Sequence, residues 1–440
     1  MNRLGILLLV GCLWVGAPLT LAQDDVNITI LQWSHFVPSH DQWFDAWAAE
    51  WGEANNVGVR VDHVDIEQIP QTLSASISAG DGHSIFEMIV PAFAFVQGLH
   101  PLNDINAAAV EAHGAPAETC PDGSYLAIAD MYFGFAHGYL PGPGHYVKSL
   151  WEAAGYPDGP VTWQDLLEGG RAIYQDTGIP VGMGISPEPD SQAGILAAIW
   201  SFGGSIQDEN ENVVFNSPET IAAVDYYAQL YREAMTPEVL AWSPASDNQA
   251  LIAGEASYIL NPISAYRTLQ HIDPEAAADV GLAPALAGPA GPIASTHGWL
   301  TYIIPTYVQG DELEAAKQFI LDHTANYRDA VLNSALYNFP CYPSTVPDLQ
   351  TLLENDPFGS VPADKLTVLS RAGEWSVFPG YPGPSNPAVL QFFSENWLAN
   401  VVASVALGER TAEDAVAEAH ARAEVIFEEW RALGLVGGGG

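Results

Sequence analysis

Residues suited to binding a small polar molecule follow the first predicted strand of the chain. Ser34-His35-Phe36 comes directly after Trp33, so a hydroxyl and an imidazole stand between two aromatic rings. Hydroxyl and imidazole groups hydrogen-bond to sugar hydroxyls, while aromatic rings cover the apolar C–H face of a sugar. We therefore predict ligand contact in this loop. The alternative is that Trp33 or Phe36 fills a core and that His35 lies on the surface.

Further candidates for ligand contact lie at other strand ends and in segments rich in Pro and Gly, because loops on a rigid scaffold carry function. They are Asp81, Phe93, Tyr132, Glu188, Asn261, Trp299, Trp375 and Tyr381. Glu188 stands in the segment SPEPDS, where its carboxylate can accept hydrogen bonds from sugar hydroxyls or from an amine. Packing is the alternative for the rings, and a solvated loop is the alternative for Glu188.

The sequence carries no pattern typical of catalysis or of metal binding. It has no nucleophile elbow, HExxH motif or phosphate loop, and its twelve histidines are scattered, with a short spacing only between His35 and His40. We predict no catalytic residue, no metal and no cofactor. Cys120 and Cys341 can pair in an exported protein, and such a disulfide would contribute on the order of 5 kcal/mol by closing a very long loop.

Residues 1–22 are typical of a secretory signal. Arg3 precedes a short apolar core, and a small-residue cleavage site ends at Ala22. The alternative is the lipobox-like segment Leu9-Val10-Gly11-Cys12, which would place a lipid anchor on Cys12. Either way, we expect an extracytoplasmic protein, periplasmic or associated with the cell surface. No later segment approaches the roughly 20 apolar residues that span a bilayer.

The formal charge of −40 comes from a shortage of bases, since the chain has 53 Asp and Glu but only 13 Lys and Arg. Such a surface repels phosphate backbones and anionic lipids, so we expect no nucleic-acid partner, and a neutral or cationic ligand is favoured. The alternative is that the charge reflects solubility or a saline or acidic habitat.

The N-terminal elements predict a parallel, doubly wound sheet. Strands at residues 26–33, 57–64 and 85–90 alternate with a helix opening at residues 39–42 and a helix at residues 70–79. Trp43, Trp47 and Trp51 recur every fourth residue, which puts them on one helix face and predicts core packing. Further strands at residues 179–184, 213–215 and 257–260 lie between predicted helices.

Residues 146–173, YVKSLWEAAGYPDGPVTWQDLLEGGRAI, predict two short helices around a Pro/Gly turn, the second opened by a capping box of Thr162 and Asp165. With FNSPETIAAVDYYAQLY, AGEASYILNP and GWLTYIIPTYVQGDELEAAKQFILDHTA in order behind it, this segment resembles the extracellular solute-binding proteins of ABC importers. The similarity is to the sugar-binding group related to maltose-binding protein.

The resemblance implies an α/β protein of two lobes, each a doubly wound sheet with flanking helices, joined by a hinge crossed two or three times. The implied lobe limits are residues 23–128 plus 296–340 for lobe 1 and 129–290 plus 345–436 for lobe 2, with a flexible tail at 437–440.

The resemblance also implies a monomeric receptor that closes on a carbohydrate or polyol and delivers it to ABC permease subunits. Two alternatives remain: a secreted glycoside hydrolase, which needs two carboxyls about 5 to 10 Å apart, and the same fold binding a polyamine.

Overall fold

The computed structural model describes residues 26–295 and 298–439. The predicted signal segment, Cys12 and the last residue of the predicted tail lie outside these ranges.

The strands and helices alternate along most of the chain. The strands are β1 (Asn27–Trp33), β2 (Gly58–Val64), β3 (Ile85–Met88), β4 (Tyr125–Leu126), β5 (Met131–Tyr132), β6 (Phe135–Leu140), β7 (Gly144–Val147), β8 (Val181–Gly182), β9 (Tyr258–Leu260), β10 (Val280–Ala283), β11 (Ala287–Gly288), β12 (Gly291–Pro292), β13 (Ala294–Ser295), β14 (Gly298–Ile303), β15 (Phe339–Pro340) and β16 (Ser376–Val377). The α-helices are α1 (Pro38–Asn55), α2 (Ile69–Ala79), α3 (Asn103–His113), α4 (Lys148–Ala153), α5 (Trp163–Thr177), α6 (Pro189–Phe202), α7 (Pro218–Ala234), α8 (Ser246–Ile252), α9 (Ser264–Ile272), α10 (Pro274–Asp279), α11 (Gly310–Ala325), α12 (Tyr327–Asn333), α13 (Leu349–Glu354), α14 (Pro387–Ser394), α15 (Trp397–Ala406) and α16 (Ala412–Ala432).

Lobe 1 is the part of the molecule built on a six-stranded sheet of order β15-β6-β14-β3-β1-β2. Strand β1 runs parallel to β2 and to β3, which confirms the predicted βαβαβ unit. Strand β14 returns antiparallel between β3 and β6. The carboxyl ends of β1 and β3 therefore meet at one edge of this sheet.

Lobe 2 is the part built on a four-stranded sheet of order β10-β7-β9-β8, in which β8 and β9 are parallel. A core of buried residues from α5, α6, α7, α15 and α16 covers it. The predicted lobe limits place β6 in lobe 2, whereas its pairing with β14 puts it in the sheet of lobe 1. The predicted strand at residues 213–215 is not formed: Val213 makes only an isolated bridge with Gln207 around a tight turn.

Long-range packing joins distant segments in both lobes. Cys120 and Cys341 form a disulfide across a sequence separation of 221 residues. Trp43, Trp47 and Trp51 pack around the rings of Phe319 and His323, in agreement with the predicted core role. Within residues 26–295 and 298–439, no helix has the length and apolar content needed to cross a membrane.

Candidate functional site

A small acidic pocket lies in lobe 2, where the parallel strands β8 and β9 end. Three carboxylates, from Glu188, Asp190 and Asp247, line it together with the rings of Tyr227 and Trp242. In this arrangement of the lobes the cavity measures about 10 Å³, room for about one water molecule. Ligands of doubly wound sheets bind beyond the carboxyl ends of strands, so this position is the one where a ligand is expected.

Glu188 reaches the pocket because it is the N-cap of α6. Its Oε1 accepts a hydrogen bond from the Ser191 amide at 2.6 Å, and its Oε2 accepts one from the Asp190 amide at 2.7 Å. Burial and, to a lesser degree, the charge of Asp190 raise the pKa of Glu188 to about 7. The pocket thus holds a carboxyl group that gains its charge near neutral pH.

Asp247, in the first turn of α8, is the most buried acid of the pocket after Glu188. Its Oδ1 accepts a hydrogen bond from the Asn248 amide at 2.7 Å. Burial raises the pKa of Asp247 well above its usual value, and the charges of Asp190 and Glu188 add to the effect. Negative charges at these positions therefore disfavour one another, and a hydrogen-bond donor or a cation placed among them would relieve that repulsion.

Two buried amides extend the polar lining beyond Asp247. Asn261, which follows β9, donates from Nδ2 to Oδ1 of Asn248 at 2.7 Å. The hydroxyl of Ser264 lies 3.4 Å from the same oxygen. This network fixes the orientation of the Asn248 amide beside the pocket.

Tyr337 approaches these carboxylates from the lobe 1 side. It is buried, and its ring centroid lies 6.5 Å from that of Trp33 at the end of β1. Burial raises the pKa of the Tyr337 phenol, and the charges of Asp190 and Asp247 raise it further, while a hydrogen bond with Ser264 opposes the shift. Trp33 and Tyr337 belong to one hydrophobic cluster that also contains Leu251 and Ile259 of lobe 2.

The model of the bacterial extracellular solute-binding proteins matches residues 46–328, well over half of the chain. This chain belongs to that family. No curated protein matches the chain.

Solved structures share the fold of this solute-binding protein at low sequence identity. Maltose-bound MalE3 of T. maritima has a TM-score of 0.76 at 20% identity, covering 91% of this chain and 100% of its own. A solute-binding protein of Agrobacterium radiobacter K84 in complex with ribitol has a TM-score of 0.74 at 20% identity, over 92% and 99% of the two chains. A sugar transporter of Arthrobacter chlorophenolicus A6 with bound laminaribiose has a TM-score of 0.70 at 15% identity, over 91% and 99%.

The predicted loop after β1 of the solute-binding protein is mostly packed. Trp33 is 1% exposed and its ring stacks on that of His35, with centroids 4.0 Å apart. Ser34 is exposed. Phe36 is half-buried and lines a wider groove between the lobes, together with Arg267 and Phe358.

The other predicted residues are dispersed. Glu188 and Asn261 are brought together around Asp247, whereas Asp81 is an exposed residue after α2. Among the predicted rings, Phe93, Trp299 and Trp375 are buried in hydrophobic clusters or beside other rings, Tyr132 lies on Tyr125, and Tyr381 is largely outside the core. That part of the site assignment stays a prediction.

The sequence-based prediction did not include Asp247, Trp242, Tyr227 or Tyr337. Asp247 carried a signal that was available, since it lies ten residues before the predicted strand at residues 257–260. Tyr337 stands close to residue 340, where the predicted lobe 1 ends. Tyr227 sits inside a helix whose spacing predicts only packing.

A second group of polar side chains lies inside lobe 1. It consists of five histidines from five places in the chain together with three acids: His35, His40, His63, His137, His323, Asp41, Asp45 and Glu87. Burial lowers the pKa of His35 and of His40, so both rings are neutral at physiological pH. His137 Nε2 lies 3.1 Å from Oε1 of the buried Glu87.

Proposed function

We propose that this solute-binding protein captures a carbohydrate or polyol between its lobes and delivers it to the permease of an ABC importer, without performing chemistry on it. The observation that carries the proposal is the pocket at the ends of β8 and β9, which combines acceptor oxygens with the rings of Tyr227 and Trp242. The shared fold with proteins holding maltose, ribitol and laminaribiose supports the same ligand class.

Binding would follow from the groups that meet at the pocket. Sugar hydroxyls donate to carboxylate and amide oxygens, while Trp242 and Tyr227 cover apolar faces. A ligand that touches Asp247 of lobe 2 and Tyr337 of lobe 1 stabilises the closed arrangement, because only that arrangement offers both sets of contacts. A wrong sugar leaves buried polar groups unpaired, at about 1 to 3 kcal/mol each.

A ligand with an amine, such as a polyamine, is the second candidate. Glu188, Asp190 and Asp247 converge on the pocket, and none of the described residues that line it is Lys or Arg. An ammonium group would be attracted to acids that repel one another.

The test is a thermal-shift and calorimetric screen of maltose, laminaribiose, ribitol and spermidine against the purified chain. A bound ligand raises the apparent stability by RT ln(1 + [L]/Kd), roughly 2.7 kcal/mol at 100 times Kd. We expect a sugar or polyol to stabilise the protein and to be recovered unchanged. Hydrolysis of an oligosaccharide, or stabilisation by spermidine alone, would overturn the proposal.

Asp247→Asn supplies the matched variant for this screen because it keeps the shape of the side chain and removes its charge. Losing a charged hydrogen-bond acceptor weakens binding by about 1.5 to 3 kcal/mol, or roughly 10-fold to 100-fold in Kd. Glu209→Gln, an exposed residue of the same lobe, is the control and leaves Kd unchanged. An amine ligand would bind more tightly as pH rises through the Glu188 pKa of about 7, whereas a neutral sugar would show no such gain.

A further inference from the structure

Three side chains at the entrance of α1 bring their donor atoms together in lobe 1. His35 follows β1, while His40 and Asp41 lie in the first turns of α1, and one ligand atom from each lies within 4.8 Å of the other two. Nδ1 of His35 is 2.9 Å from Oδ1 of Asp41, and Nδ1 of His40 is 3.8 Å from the same oxygen. The three donor atoms therefore form a compact triangle.

The spacing of these atoms suits zinc. Bonds of about 2.0 to 2.1 Å to nitrogen and oxygen in a tetrahedron put neighbouring ligand atoms roughly 3.4 Å apart. The two measured separations of 2.9 and 3.8 Å bracket that distance. Small rotations of the rings would equalise them.

The ring nitrogens are buried without hydrogen bonds of good geometry. His35 is 4% exposed and His40 is 2% exposed, and neither Nδ1 has a hydrogen-bond partner among the described residues. Oδ1 of Asp41 lies 2.9 Å from Nδ1 of His35 and 3.8 Å from Nδ1 of His40. A buried polar nitrogen without a partner costs free energy, and coordination of a cation would remove that cost.

The groups around Asp41 hold its carboxylate in place and favour the binding of a cation beside it. Oδ2 of Asp41 accepts a hydrogen bond from the backbone amide of His35 at 3.1 Å, and Nδ1 of His63 lies 3.8 Å from that oxygen. The buried Glu87 is within electrostatic range of His35. Groups that orient a ligand in this way typically tune metal affinity. The Asp41 side chain is 20% exposed, which gives an ion a route from solvent.

We propose that His35, His40 and Asp41 bind one Zn²⁺ ion in lobe 1. Two imidazoles and one carboxylate match the preference of zinc, whereas Ca²⁺ and Mg²⁺ take oxygen ligands almost exclusively. The fourth position is open to a water molecule or to another side chain. The ring of His35 stacks on that of Trp33, so an ion bound to His35 would also hold the Trp33 ring in place.

The test is calorimetric titration of the metal-free protein with Zn²⁺, backed by the absorption spectrum of the Co²⁺-substituted protein. We expect one equivalent of Zn²⁺ to bind and Co²⁺ to give the intense visible bands of a tetrahedral site. His40→Gln and Asp41→Asn should each weaken Zn²⁺ binding by more than roughly tenfold. His271→Gln, an exposed histidine outside the group, is the matched control and should bind as the wild type does.

Circular dichroism of each variant separates loss of the site from loss of the fold. Asp41→Asn is the more tolerant variant because it keeps the size of a side chain that is partly exposed. The proposal is overturned if the wild type takes up no stoichiometric Zn²⁺, if its Co²⁺ spectrum is octahedral, or if folded Asp41→Asn binds Zn²⁺ as tightly as the wild type. In those cases the three residues form a hydrogen-bonded loop anchor only.

Discussion

Glu188 both caps α6 and lines the acidic pocket. Its two carboxylate oxygens accept amide hydrogen bonds from Ser191 and Asp190, which favours the charged form. Burial and the charge of Asp190 favour the neutral form, and they prevail, because the pKa of Glu188 is raised to about 7. At about pH 7 Glu188 is therefore balanced between its charged and its neutral form, and a bound ligand could shift that balance.

This balance predicts a pH dependence of stability. The folded state holds the Glu188 proton more tightly than the unfolded chain, where the pKa is 4.5, so the stabilisation is complete below that value and is lost as pH rises to about 7. Glu188→Gln cannot ionise. We expect its melting temperature to fall less than that of the wild type between about pH 5 and about pH 8, measured by scanning calorimetry without ligand.

Glu209→Gln is the matched control for this comparison, since Glu209 is an exposed residue of lobe 2. It should reproduce the pH dependence of the wild type. An equal fall in melting temperature for Glu188→Gln and the wild type would show that the pocket acid does not contribute to the dependence.

The helices that position the pocket begin at side-chain caps. Glu188 caps α6, Ser217 caps α7 and Thr162 caps α5, where Oγ1 of Thr162 accepts from the Asp165 amide at 3.0 Å. Oδ2 of Asp165 accepts in turn from the Thr162 amide at 2.9 Å. This capping box fixes where α5 starts, and α5 then buries Trp163 against the ring of Tyr226.

Removing this N-cap should lower the free energy of unfolding of lobe 2. Thr162→Ala leaves the Asp165 amide without its acceptor, and losing such a cap costs about 1 kcal/mol. We expect the midpoint of urea unfolding to fall with an unchanged m-value. Ser78→Ala, an exposed hydroxyl within α2, should change stability by less than about 0.5 kcal/mol. Equal effects of the two substitutions would contradict the role of the capping box.

Local signals of this kind explain which elements were predictable from the sequence. The capping box of α5, Ser217 before Pro218, and Gly80 in the left-handed conformation after α2 each mark an end that the structure shows within about two residues. Such ends depend on neighbouring residues alone, so the sequence contains the information.

The candidate sites depend on chain geometry that no local signal reveals. Tyr337, on the lobe 1 side, follows a turn in which Ala335 and Leu336 adopt φ of 53° and 66°, a conformation that normally indicates Gly or Asn. His137 and His323 come from a strand and a helix far apart in sequence, and only the six-stranded sheet and the helix packed on it bring them together. Because the histidines are scattered along the sequence, we predicted no metal site, although the fold brings five of them together.

At the scale of the whole molecule, the surface is dominated by carboxylates whose few basic partners are already engaged. Many of the 13 Lys and Arg residues form ion pairs, and the net charge remains −40. These pairs include Arg60–Asp62, Arg267–Asp356, Lys317–Asp104, Arg328–Asp348, Arg371–Glu374 and Arg422–Glu395. The remaining acids repel one another, which opposes the compact state and gives an anionic ligand no long-range attraction.

That repulsion predicts that salt stabilises the ligand-free protein. The Debye length falls from about 30 Å at 0.01 M to about 3 Å at 1 M, so salt screens repulsion between distant carboxylates far more than it weakens the short ion pairs. We expect the melting temperature near neutral pH to rise as NaCl is increased over this range. The control is the same titration close to the pI of about 4.2, where the net charge vanishes and the rise should disappear. A rise of equal size at both pH values would assign the effect to exclusion of salt from the protein surface instead, because exclusion does not depend on net charge.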